Sequence, residues 1–488
     1  MRLQELAGDL ASPVGGDPQI TSLAYDSRRV EPGALFFCVS GFNVDGYEFA
    51  PAALAAGAAA LVVEGRLELP VAQLVVPSVR AAMGPIADRF FGHPSHELAV
   101  VGVTGTNGKT TTAYLVRQLL ADAGLQCGLL GTVKSVIGGV ESDVVRTTPE
   151  AIDLHGDLRA MLDGGDRACA IEVSSHALAL GRAAAVRFAA ALFTNLTQDH
   201  LDFHSDMEDY FQAKRLLFVP EGPAPAHAVV NVADPYGERL AGELADVTTF
   251  AVDRDADYRA RELECDLAGC TFTLDAEGAS HRVRLPMPGR FNVANALGAF
   301  AAARVLGCDV DSLLQTLARG VRVPGRFEPV DAGQPYAVLV DYAHTPDSLQ
   351  NVLAAAGDLV RAAAQGGRVI CVFGAGGDRD RGKRPQMGAI AAAGADIAIV
   401  TSDNPRSEDP DAIIGEILAG TEGATNVTAL ADRRAAIELA VASAAPGDVL
   451  IIAGKGHERG QEFAGGKKLP FDDAQVALEA LRSGRSAA

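Results

Sequence analysis

One short stretch constrains this chain more than any other: an apolar run that breaks into a glycine turn and restarts with helical character. Residues 100–112 read Val-Val-Gly-Val-Thr-Gly-Thr-Asn-Gly-Lys-Thr-Thr-Thr. Residues 98–103 are apolar and rich in valine, which is typical of a buried parallel strand. Over residues 110–123 the apolar side chains recur at helical spacing. The pattern therefore predicts a strand, a tight turn and a helix in that order.

The predicted turn has the composition of a phosphate-binding loop. Gly105 and Gly108 let the backbone approach an anion closely, and the positive end of the following helix faces the same place. In that arrangement Lys109 reaches the β- and γ-phosphates of a nucleotide, and the Thr110 hydroxyl holds Mg²⁺. The loop departs from the strict pattern at Val103, where a glycine is expected. An ordinary strand-to-helix turn with a surface lysine is the alternative.

Length and charge exclude several classes of protein. The 488 residues suggest about three domains, and the net charge of −20 argues against a nucleic-acid partner. The chain has no uninterrupted apolar run long enough to cross a membrane, and its first residues lack the apolar centre of an export signal. We therefore predict a cytoplasmic protein without membrane insertion. The seven cysteines are dispersed, which predicts buried thiols.

The second half of the chain alternates predicted strands with predicted helices after a stretch rich in proline and glycine at 323–328. This alternation predicts a mostly parallel sheet in an α/β fold. Polar clusters follow four of the predicted strands, at residues 341–346, 374–379, 402–406 and 454–458. Open α/β sheets bind ligands at the carboxyl ends of their strands. We therefore expect these clusters to form a binding edge.

Two further residues are metal-ligand candidates by their position. Glu172 and His200 each come just after a predicted strand, downstream of the phosphate loop, and could complete the metal shell begun by Thr110. Either one alone is more often structural. Lys214 lies on an amphipathic helical segment, where a lone lysine reads as a surface charge. The Asn-Lys-x-Asp motif of switch GTPases is absent from the sequence, which disfavours a nucleotide-gated switch.

Taken together, these motifs resemble the Mur ligase family, the ATP-dependent amino-acid ligases of peptidoglycan precursor synthesis, over essentially the whole chain. The resemblance is carried by Thr-Gly-Thr-Asn-Gly-Lys-Thr at 104–110, Thr-Asn-Leu at 194–196 with Asp-His-Leu-Asp at 199–202, and Asp-Tyr-Ala-His at 341–344. It also accounts for Val103, since these ligases share the shorter glycine pattern. Asp-Asn-Pro-Arg at 403–406 with Gly-Lys-Gly-His-Glu at 454–458 resembles the diaminopimelate-adding branch.

The resemblance implies three domains. A small N-terminal α/β domain, residues 1–95, would bind the UDP-sugar. A central domain resembling P-loop ATPases, residues 96–325, would carry a mostly parallel sheet and bind ATP. A C-terminal Rossmann-like α/β domain, residues 326–488, would bind the incoming amino acid.

The resemblance also assigns site residues by position in this sequence. The implied ATP contacts are Gly105, Thr106, Asn107, Gly108, Lys109, Thr110, Thr111, Asn292, Asn295, Arg326 and Asp341. The implied metal ligands are Thr110, Glu172, His200 and a carbamylated (carboxylated) Lys214. The implied catalytic residues are Lys109, Lys214, His200 and His344. The implied contacts to the UDP-sugar peptide are Ser27, Thr147, Thr148, Ser174 and Arg182. The implied diaminopimelate contacts are Arg379, Asp403, Asn404, Pro405, Arg406, Gly454 and Glu458.

The activity implied by the resemblance is amide-bond formation driven by ATP and Mg²⁺. ATP would phosphorylate the D-glutamyl carboxylate of UDP-N-acetylmuramoyl-L-alanyl-D-glutamate, and the amine of meso-diaminopimelate would displace phosphate. His344 would accept the amine proton or orient the amine. Arg406 would grip the distal carboxylate that lysine lacks, with Glu458 and the Gly454 carbonyl on the distal ammonium. We expect a monomer. Leu180 departs from the glutamine of close relatives, which puts one substrate contact in doubt.

Other activities stay open at this point. A lysine-adding ligase and a folylpolyglutamate-type ligase would share the central domain. A non-catalytic nucleotide-binding regulator would use the same loop, and a phosphotransferase would turn over without an amine.

Overall fold

The computed structural model describes residues 1–41, 45–220, 222, 224–363 and 366–486. The chain forms two compact units. The first unit contains Met1–Thr104, Gly124–Ala191 and Ala213–His227, and the second contains Gly105–Ala123, Leu192–Gln212 and Ala228–Ala488. The predicted division into three domains stays a prediction.

The first 98 residues contain α1 (Leu3–Ala7), β1 (Ser22–Ala24), β2 (Ala34–Phe37), α2 (Ala50–Ala55), β3 (Ala60–Val63), β4 (Ala72–Val75) and α3 (Val79–Phe90). The strands form a parallel sheet in the order β1-β2-β3-β4. All four residues of β2 and of β3 are buried, because apolar cores cover both faces of this sheet. One core includes side chains of α1 and α3, and the other includes those of α2.

The next part of the chain, residues 99–215, contains β5 (Ala99–Thr104), α4 (Lys109–Asp122), β6 (Cys127–Leu130), β7 (Ser135–Ile137), β8 (Val140–Ser142), α5 (Ala151–Asp163), β9 (Ala168–Glu172), α6 (Ser175–Ala179), β10 (Phe188–Phe193) and α7 (Met207–Arg215). In the first unit β9 pairs in parallel with both β5 and β6, and β7 and β8 extend this sheet with antiparallel pairs. The predicted strand, turn and helix around the phosphate loop are confirmed as β5, the loop at 105–108 and α4.

Residues 228–319 contain β11 (Ala228–Asn231), α8 (Pro235–Glu243), β12 (Thr248–Val252), β13 (Tyr258–Asp266), β14 (Gly269–Ala276), β15 (Ala279–Leu285), α9 (Arg290–Val305) and α10 (Val310–Arg319). Strands β11, β12 and β13 are parallel, and β14 and β15 continue as antiparallel hairpins. Cys265 and Cys270 lie opposite each other across β13 and β14 and form a disulfide, so the prediction of thiols throughout was wrong for this pair. Five residues apart, they flank a two-residue turn that brings them together.

The remainder contains β16 (Glu328–Pro329), β17 (Ala337–Asp341), α11 (Pro346–Ala362), β18 (Val369–Phe373), α12 (Lys383–Gly394), β19 (Ile397–Val400), α13 (Pro410–Leu418), β20 (Val427–Ala429), α14 (Arg433–Ser443), β21 (Val449–Ala453), β22 (Gly460–Phe463), β23 (Lys467–Pro470) and α15 (Asp473–Ser486). Strands β17, β21, β18, β19 and β20 are parallel in that order, and β16 joins antiparallel. Helices α11, α12 and α13 cover one face, and α14 and α15 cover the other.

This topology confirms the predicted α/β fold with mostly parallel sheets. Strands β17, β18, β19 and β21 end within two residues of the starts of the four polar clusters, so all four clusters lie at the same edge of one sheet. In the described part of the chain, no helix is both long and apolar enough to cross a membrane.

Candidate active site

The phosphate loop in the second unit has a backbone conformation that requires glycine. Gly108 precedes α4 with φ of +85°, a left-handed conformation that side chains disfavour. A Cβ atom at this position would lie 2.3 Å from the side-chain oxygen of Asn295. Asn295 is buried, and its oxygen accepts a hydrogen bond from the Thr112 hydroxyl at 3.3 Å. The loop can therefore keep its shape only with glycine here.

Hydrogen bonds to Thr194 and Asn195 hold the phosphate loop in place. The amide of Thr106 donates to the backbone carbonyl of Asn195 at 2.9 Å, and the amide of Asn107 donates to the Asn195 side-chain oxygen at 2.9 Å. The hydroxyl of Thr194 donates to the carbonyl of Asn107 at 2.6 Å. The sequence motif at 194–196 thus acts as a brace for the loop, a role that its pattern alone does not specify.

Lys109 and Thr110 are the first two residues of α4, and the sequence predicts that they contact the phosphates and the metal. The Lys109 ammonium donates to the carbonyls of Gly105 and Thr106 at 2.8 and 2.7 Å, so its charge lies over the loop. The Thr110 hydroxyl accepts a hydrogen bond from the Arg326 guanidinium at 3.0 Å. The positive helix end and two cationic side chains therefore converge on one small region, which suits a polyphosphate.

The predicted nucleotide contacts form two short chains of hydrogen bonds. In the first chain, Asn295 donates to the side chain of Asn292 at 3.4 Å, and Asn292 donates to the carbonyl of Pro288, just before α9, at 2.8 Å. In the second chain, the carboxylate of Asp341 accepts from the amides of Phe327 and Ala343 at 2.7 and 2.8 Å. Burial raises the pKa of Asp341, and these backbone bonds hold it in place.

The segment after β10 brings His200 close to His344. Asp199 is buried, with a carboxylate oxygen 3.4 Å from His200 Nε2 and 3.9 Å from His344 Nε2. Burial acts against ionisation of Asp199, but His200, His344 and the buried Lys383 together lower its pKa. His344 Nδ1 lies 2.8 Å from the carbonyl of Tyr342, which can only accept, so Nδ1 carries the proton. Burial and the charge of Lys383 lower the pKa of His344, which leaves Nε2 as an acceptor.

Arg406 lies at the carboxyl edge of the C-terminal sheet, and its own backbone is strained. Its φ of +52° is rare for a residue with a side chain. The guanidinium donates to the carbonyl of Gly377 at 2.7 Å and lies 3.5 Å from the carboxylate of Glu462. The side chain keeps a quarter of its surface exposed. Glu462 therefore supplies a counter-charge to Arg406 before any ligand binds, and solvent reaches the guanidinium.

Asn404 and Glu458 both bond to a buried lysine that was not predicted as a site residue. Lys455 is completely buried, and its ammonium donates to the side chains of Asn404 and Glu458 at 3.0 Å each. Asn404 also donates to Glu458 at 2.7 Å. Burial of a lysine requires such partners. The cluster therefore has a fixed positive centre, and Glu458 shares its charge with Lys455 before any ligand ammonium arrives.

The other predicted amino-acid contacts surround the same edge. Gly454 has φ of +114°, and a Cβ there would lie 2.4 Å from the carboxylate of Asp403. A Cβ at Gly377 would lie 1.9 Å from the carbonyl oxygen of Pro405. The Arg379 guanidinium lies 3.9 Å from the carboxylate of Asp202 and is half exposed. The structure thus gathers the predicted residues at one edge, while Arg379 is held by an acid of the segment after β10.

In the first unit, Glu172 and the predicted peptide contacts form one network. The carboxylate of Glu172 accepts from the amide and hydroxyl of Thr132 at 2.7 and 3.0 Å. The hydroxyl of Thr148 donates to the Glu172 carbonyl at 2.8 Å, and Thr147 contacts the Thr132 hydroxyl at 3.1 Å. Ser174 accepts from the amide of Ala177 and so begins α6. Its hydroxyl is therefore engaged in capping a helix.

Arg182 belongs to a basic cluster that the sequence did not reveal. Arg80, Arg146 and Arg182 converge on the buried carboxylate of Glu150 at 3.5, 2.9 and 3.0 Å. Burial lowers the pKa of Arg182. Three guanidinium groups around one carboxylate leave an excess of positive charge beside Thr148. This excess suits an anionic peptide.

The remaining predicted residues are Ser27 and Lys214. Ser27 begins a short 3₁₀ turn, and the residues on both sides of it line a cavity of about 530 Å³. The cavity is lined by Ser22, Leu23, Ala24, Tyr25, Asp26, Arg28, Arg29, Val30, Glu31, Phe91, Ile152, Asp153, Gly156 and Asp157. The Lys214 side chain is 1% exposed, so the alternative of a surface charge is wrong.

The chain is similar to known proteins over most of its length. Family models match residues 19–91 (Mur ligase family, catalytic domain), 103–303 (Mur ligase middle domain) and 325–456 (Mur ligase, glutamate ligase domain). A protein of Syntrophomonas wolfei named UDP-N-acetylmuramoyl-L-alanyl-D-glutamate–2,6-diaminopimelate ligase is 43% identical over 99% of both chains. One of the same name from Thermosynechococcus vestitus is 46% identical over 95% of this chain and 93% of its own.

Solved structures agree. A structure titled with that same ligase name has a TM-score of 0.70 and 32% identity, and the match covers 99% of both chains. A MurF ligase from Thermotoga maritima, solved in complex with ADP, has a TM-score of 0.65 over 96% of this chain and 98% of its own. At 19% identity, the second likeness concerns the fold alone.

Proposed function

The chain belongs to the Mur ligase family, and we propose that it is an ATP-dependent ligase that joins meso-2,6-diaminopimelate to the D-glutamate of UDP-N-acetylmuramoyl-L-alanyl-D-glutamate. The observation that carries this proposal is the 43% identity to a ligase of that name over 99% of both chains. The phosphate loop, the histidine pair and the polar sheet edge supply the chemical groups that the reaction needs. Because ATP and the nucleotide-linked substrate are found in the cytoplasm, we expect the protein to act there. We also expect it to be a monomer.

The first step is phosphoryl transfer from ATP to the D-glutamyl carboxylate. A carboxylate oxygen attacks the γ-phosphorus, the bond to the β-phosphate oxygen breaks, and ADP leaves. Both reactants are anions, so the main task of the site is to offset their repulsion. Lys109, Arg326 and the amides at the start of α4 supply positive charge at the phosphates, while the Arg182 cluster suits the anionic peptide.

The second step is attack of the amine on the acyl phosphate. The amine nitrogen bonds to the carbonyl carbon, the bond from that carbon to the phosphate oxygen breaks, and inorganic phosphate leaves. The attacking nitrogen must lose a proton. His344 Nε2 is an acceptor because Nδ1 donates to the Tyr342 carbonyl, so His344 can take that proton.

Magnesium and a carbamylated lysine complete the proposal. The predicted ligands are a threonine hydroxyl, a carboxylate, an imidazole and a carbamate oxygen, a mostly hard-oxygen set that fits Mg²⁺. Glu172 is oriented by two bonds from Thr132, and Lys214 is buried, so both are fixed as ligands must be. Bound Mg²⁺ would neutralise phosphate charge. Thr110, Glu172, His200 and Lys214 would hold it.

Selection of diaminopimelate over lysine rests on Arg406 in this proposal. A guanidinium can bind the distal carboxylate through two parallel hydrogen bonds, and lysine has no such group. Because Glu462 already pairs with Arg406, lysine does not leave a bare buried charge. The preference must then come from the gain with diaminopimelate, which we expect to be about 100-fold in kcat/KM.

The test is phosphate release by the purified protein with the nucleotide dipeptide, ATP and Mg²⁺. Release should require diaminopimelate, with lysine and glutamate nearly inactive. Lys109→Ala should abolish it, whereas Lys467→Ala, which removes an exposed lysine on β23, should have no effect. Equal turnover with lysine would indicate the lysine-adding alternative. Turnover without any amine would indicate a phosphotransferase, and the absence of turnover with every amine would support the regulator.

A further inference from the structure

The first unit contains a cluster of metal-ligand side chains that the ligase reaction does not use. Asp88 lies near the end of α3, and His93 and His96 lie in the short turn that follows. One possible ligand atom from each residue lies within 4.8 Å of the others. Asp88 is buried, with 7% of its surface exposed, whereas both histidines are at the surface. The cluster is therefore open to an ion from solvent but has a buried anionic base.

The buried carboxylate has one oxygen that nothing in the described chain satisfies. Asp88 Oδ2 lies 2.6 Å from His93 Nδ1, but Oδ1 has no hydrogen-bond partner among the described residues. Instead, Oδ1 faces the ring of His155 on α5, with Nδ1 at 3.6 Å. An unsatisfied buried carboxylate oxygen is rare in proteins because it loses its solvation without compensation.

The tautomer of His155 leaves this contact without a hydrogen bond. His155 Nε2 lies 3.1 Å from the carbonyl of Ala184, which can only accept, so Nε2 carries the proton. His155 Nδ1 has no hydrogen-bond partner among the described residues and faces the Asp88 carboxylate. Two buried atoms with lone pairs that face each other without a partner favour positive charge nearby.

The backbone also brings the two surface histidines together. His93 has φ of +55°, a left-handed conformation that is uncommon for residues with a side chain. In this conformation its ring stacks on that of His96 with centroids 5.3 Å apart. Strained residues of this kind persist where other interactions fix them.

We propose that Asp88, His93 and His96 bind a divalent transition-metal ion of the Zn²⁺ type. Two imidazoles and one carboxylate with water in the fourth position are a ligand set that Zn²⁺ accepts, whereas Mg²⁺ prefers sites in which most ligands are oxygen atoms. His155 faces the same carboxylate and would orient it. This ion is separate from the magnesium of the ligase reaction.

The ion would have a structural role. The match to the Mur ligase catalytic domain ends at residue 91, and the match to the middle domain begins at residue 103. Both histidines lie in the segment between them, and Asp88 lies on the preceding helix. A metal at this place would fix the connecting segment to α3 and, through His155, to α5. Binding to the folded state alone would raise the melting temperature.

The experiment measures Zn²⁺ bound to the full-length protein after dialysis in excess Mg²⁺, together with the melting temperature. Wild type should retain one Zn²⁺ more than His93→Ala and His96→Ala, and zinc should raise the melting temperature of wild type but of neither of these two variants. His281→Ala on β15 is the matched histidine control and should bind like wild type. Co²⁺ in place of Zn²⁺ should give the visible bands of a tetrahedral site.

Two results would overturn the proposal. One is equal zinc content in wild type and in both histidine variants, which would assign any bound zinc to other ligands. The other is loss of the extra zinc in His281→Ala. The exposed histidines are chosen because their removal should not unfold the protein, whereas a change at buried Asp88 could. Phosphate release with diaminopimelate measured in parallel keeps this outcome separate from that of the proposed ligase activity.

Discussion

The phosphate loop and the proposed amino-acid site differ in the groups that give them their shape. The loop takes its shape from backbone amides, a left-handed glycine and a brace of hydrogen bonds from Asn195. The amino-acid site takes its shape from ionised side chains, with Lys455, Glu458 and Arg406 in direct contact with polar partners. A backbone-built site, whose ligand contacts are backbone groups, should lose most of its ligand affinity when its geometry changes. A side-chain-built site, whose contacts are side chains, should lose affinity in proportion to the hydrogen bonds removed.

The largest expected effect comes from Gly108→Ala. The new Cβ would overlap the Asn295 oxygen, which is held by Thr112, and the left-handed conformation adds strain. We expect ATP affinity to fall about 100-fold, or ~3 kcal/mol, by titration calorimetry. The matched control is Gly124→Ala, where φ is +90° but a Cβ would meet open space. This control should lose ~1 kcal/mol of stability and keep its ATP affinity. Similar affinities in both variants would contradict the backbone-built description.

Arg406→Ala tests the side-chain-built site. Loss of a charge-assisted pair of hydrogen bonds is worth about 2 kcal/mol, so KM for diaminopimelate should rise about 30-fold. KM for ATP should stay the same. Arg434→Ala, which removes a half-exposed arginine of α14, is the control. If KM for diaminopimelate does not change, the distal carboxylate is recognised elsewhere.

A smaller effect is expected from the bond between the loop and α11. The side chain of Asn107 donates to the carboxylate of Asp347 at 2.6 Å, and burial raises the pKa of Asp347. A double-mutant cycle of Asn107→Ala and Asp347→Ala, measured as kcat/KM for ATP, should give a coupling of about 1 kcal/mol. Strictly additive effects would mean that this bond makes no contribution.

The smallest effect concerns the cavity beside Ser27, another site built from ionisable side chains. Burial, together with Asp153, raises the pKa of Asp157 to about 6. Below about pH 4 both folded and unfolded Asp157 are protonated, so the residue has no effect. Between pH 4 and 6 the unfolded chain ionises first, so stability falls as pH rises.

Asp157→Asn removes this dependence. Because partial exposure screens the charge, we expect the variant to be more stable than wild type by about 1 kcal/mol at pH 8. The two melting temperatures should coincide near pH 4. A variant that melts below wild type at pH 8 would show that the carboxylate is stabilising.

The sequence predicted local features well because local chemistry determines them. The glycine turn before Lys109 and the polar clusters after β17, β18, β19 and β21 follow from spacing and composition, and the structure confirms their positions. Bounds differed by one or two residues, since strand ends depend on which neighbour pairs with them.

Contacts between distant residues could not be predicted. Lys455 is bonded to Asn404, and Asn107 to Asp347, only because the fold brings separate segments together. The partner of Arg406, Glu462, follows in a hairpin whose register no composition reveals. Lys383 could have been noticed, since it follows the polar cluster at 374–379 and lies between Arg381 and Arg384 in the sequence. Nothing in its spacing, however, indicates burial beside a histidine.

The left-handed backbone at Arg406 has an evolutionary consequence. Glycine would occupy that conformation without strain, so selection for folding alone would replace the arginine. Arg406→Gly should therefore raise the stability of the protein and weaken the proposed selection of diaminopimelate over lysine. Because the chain keeps arginine here despite the strained backbone, we infer that selectivity for the amino acid has mattered more at this position than stability.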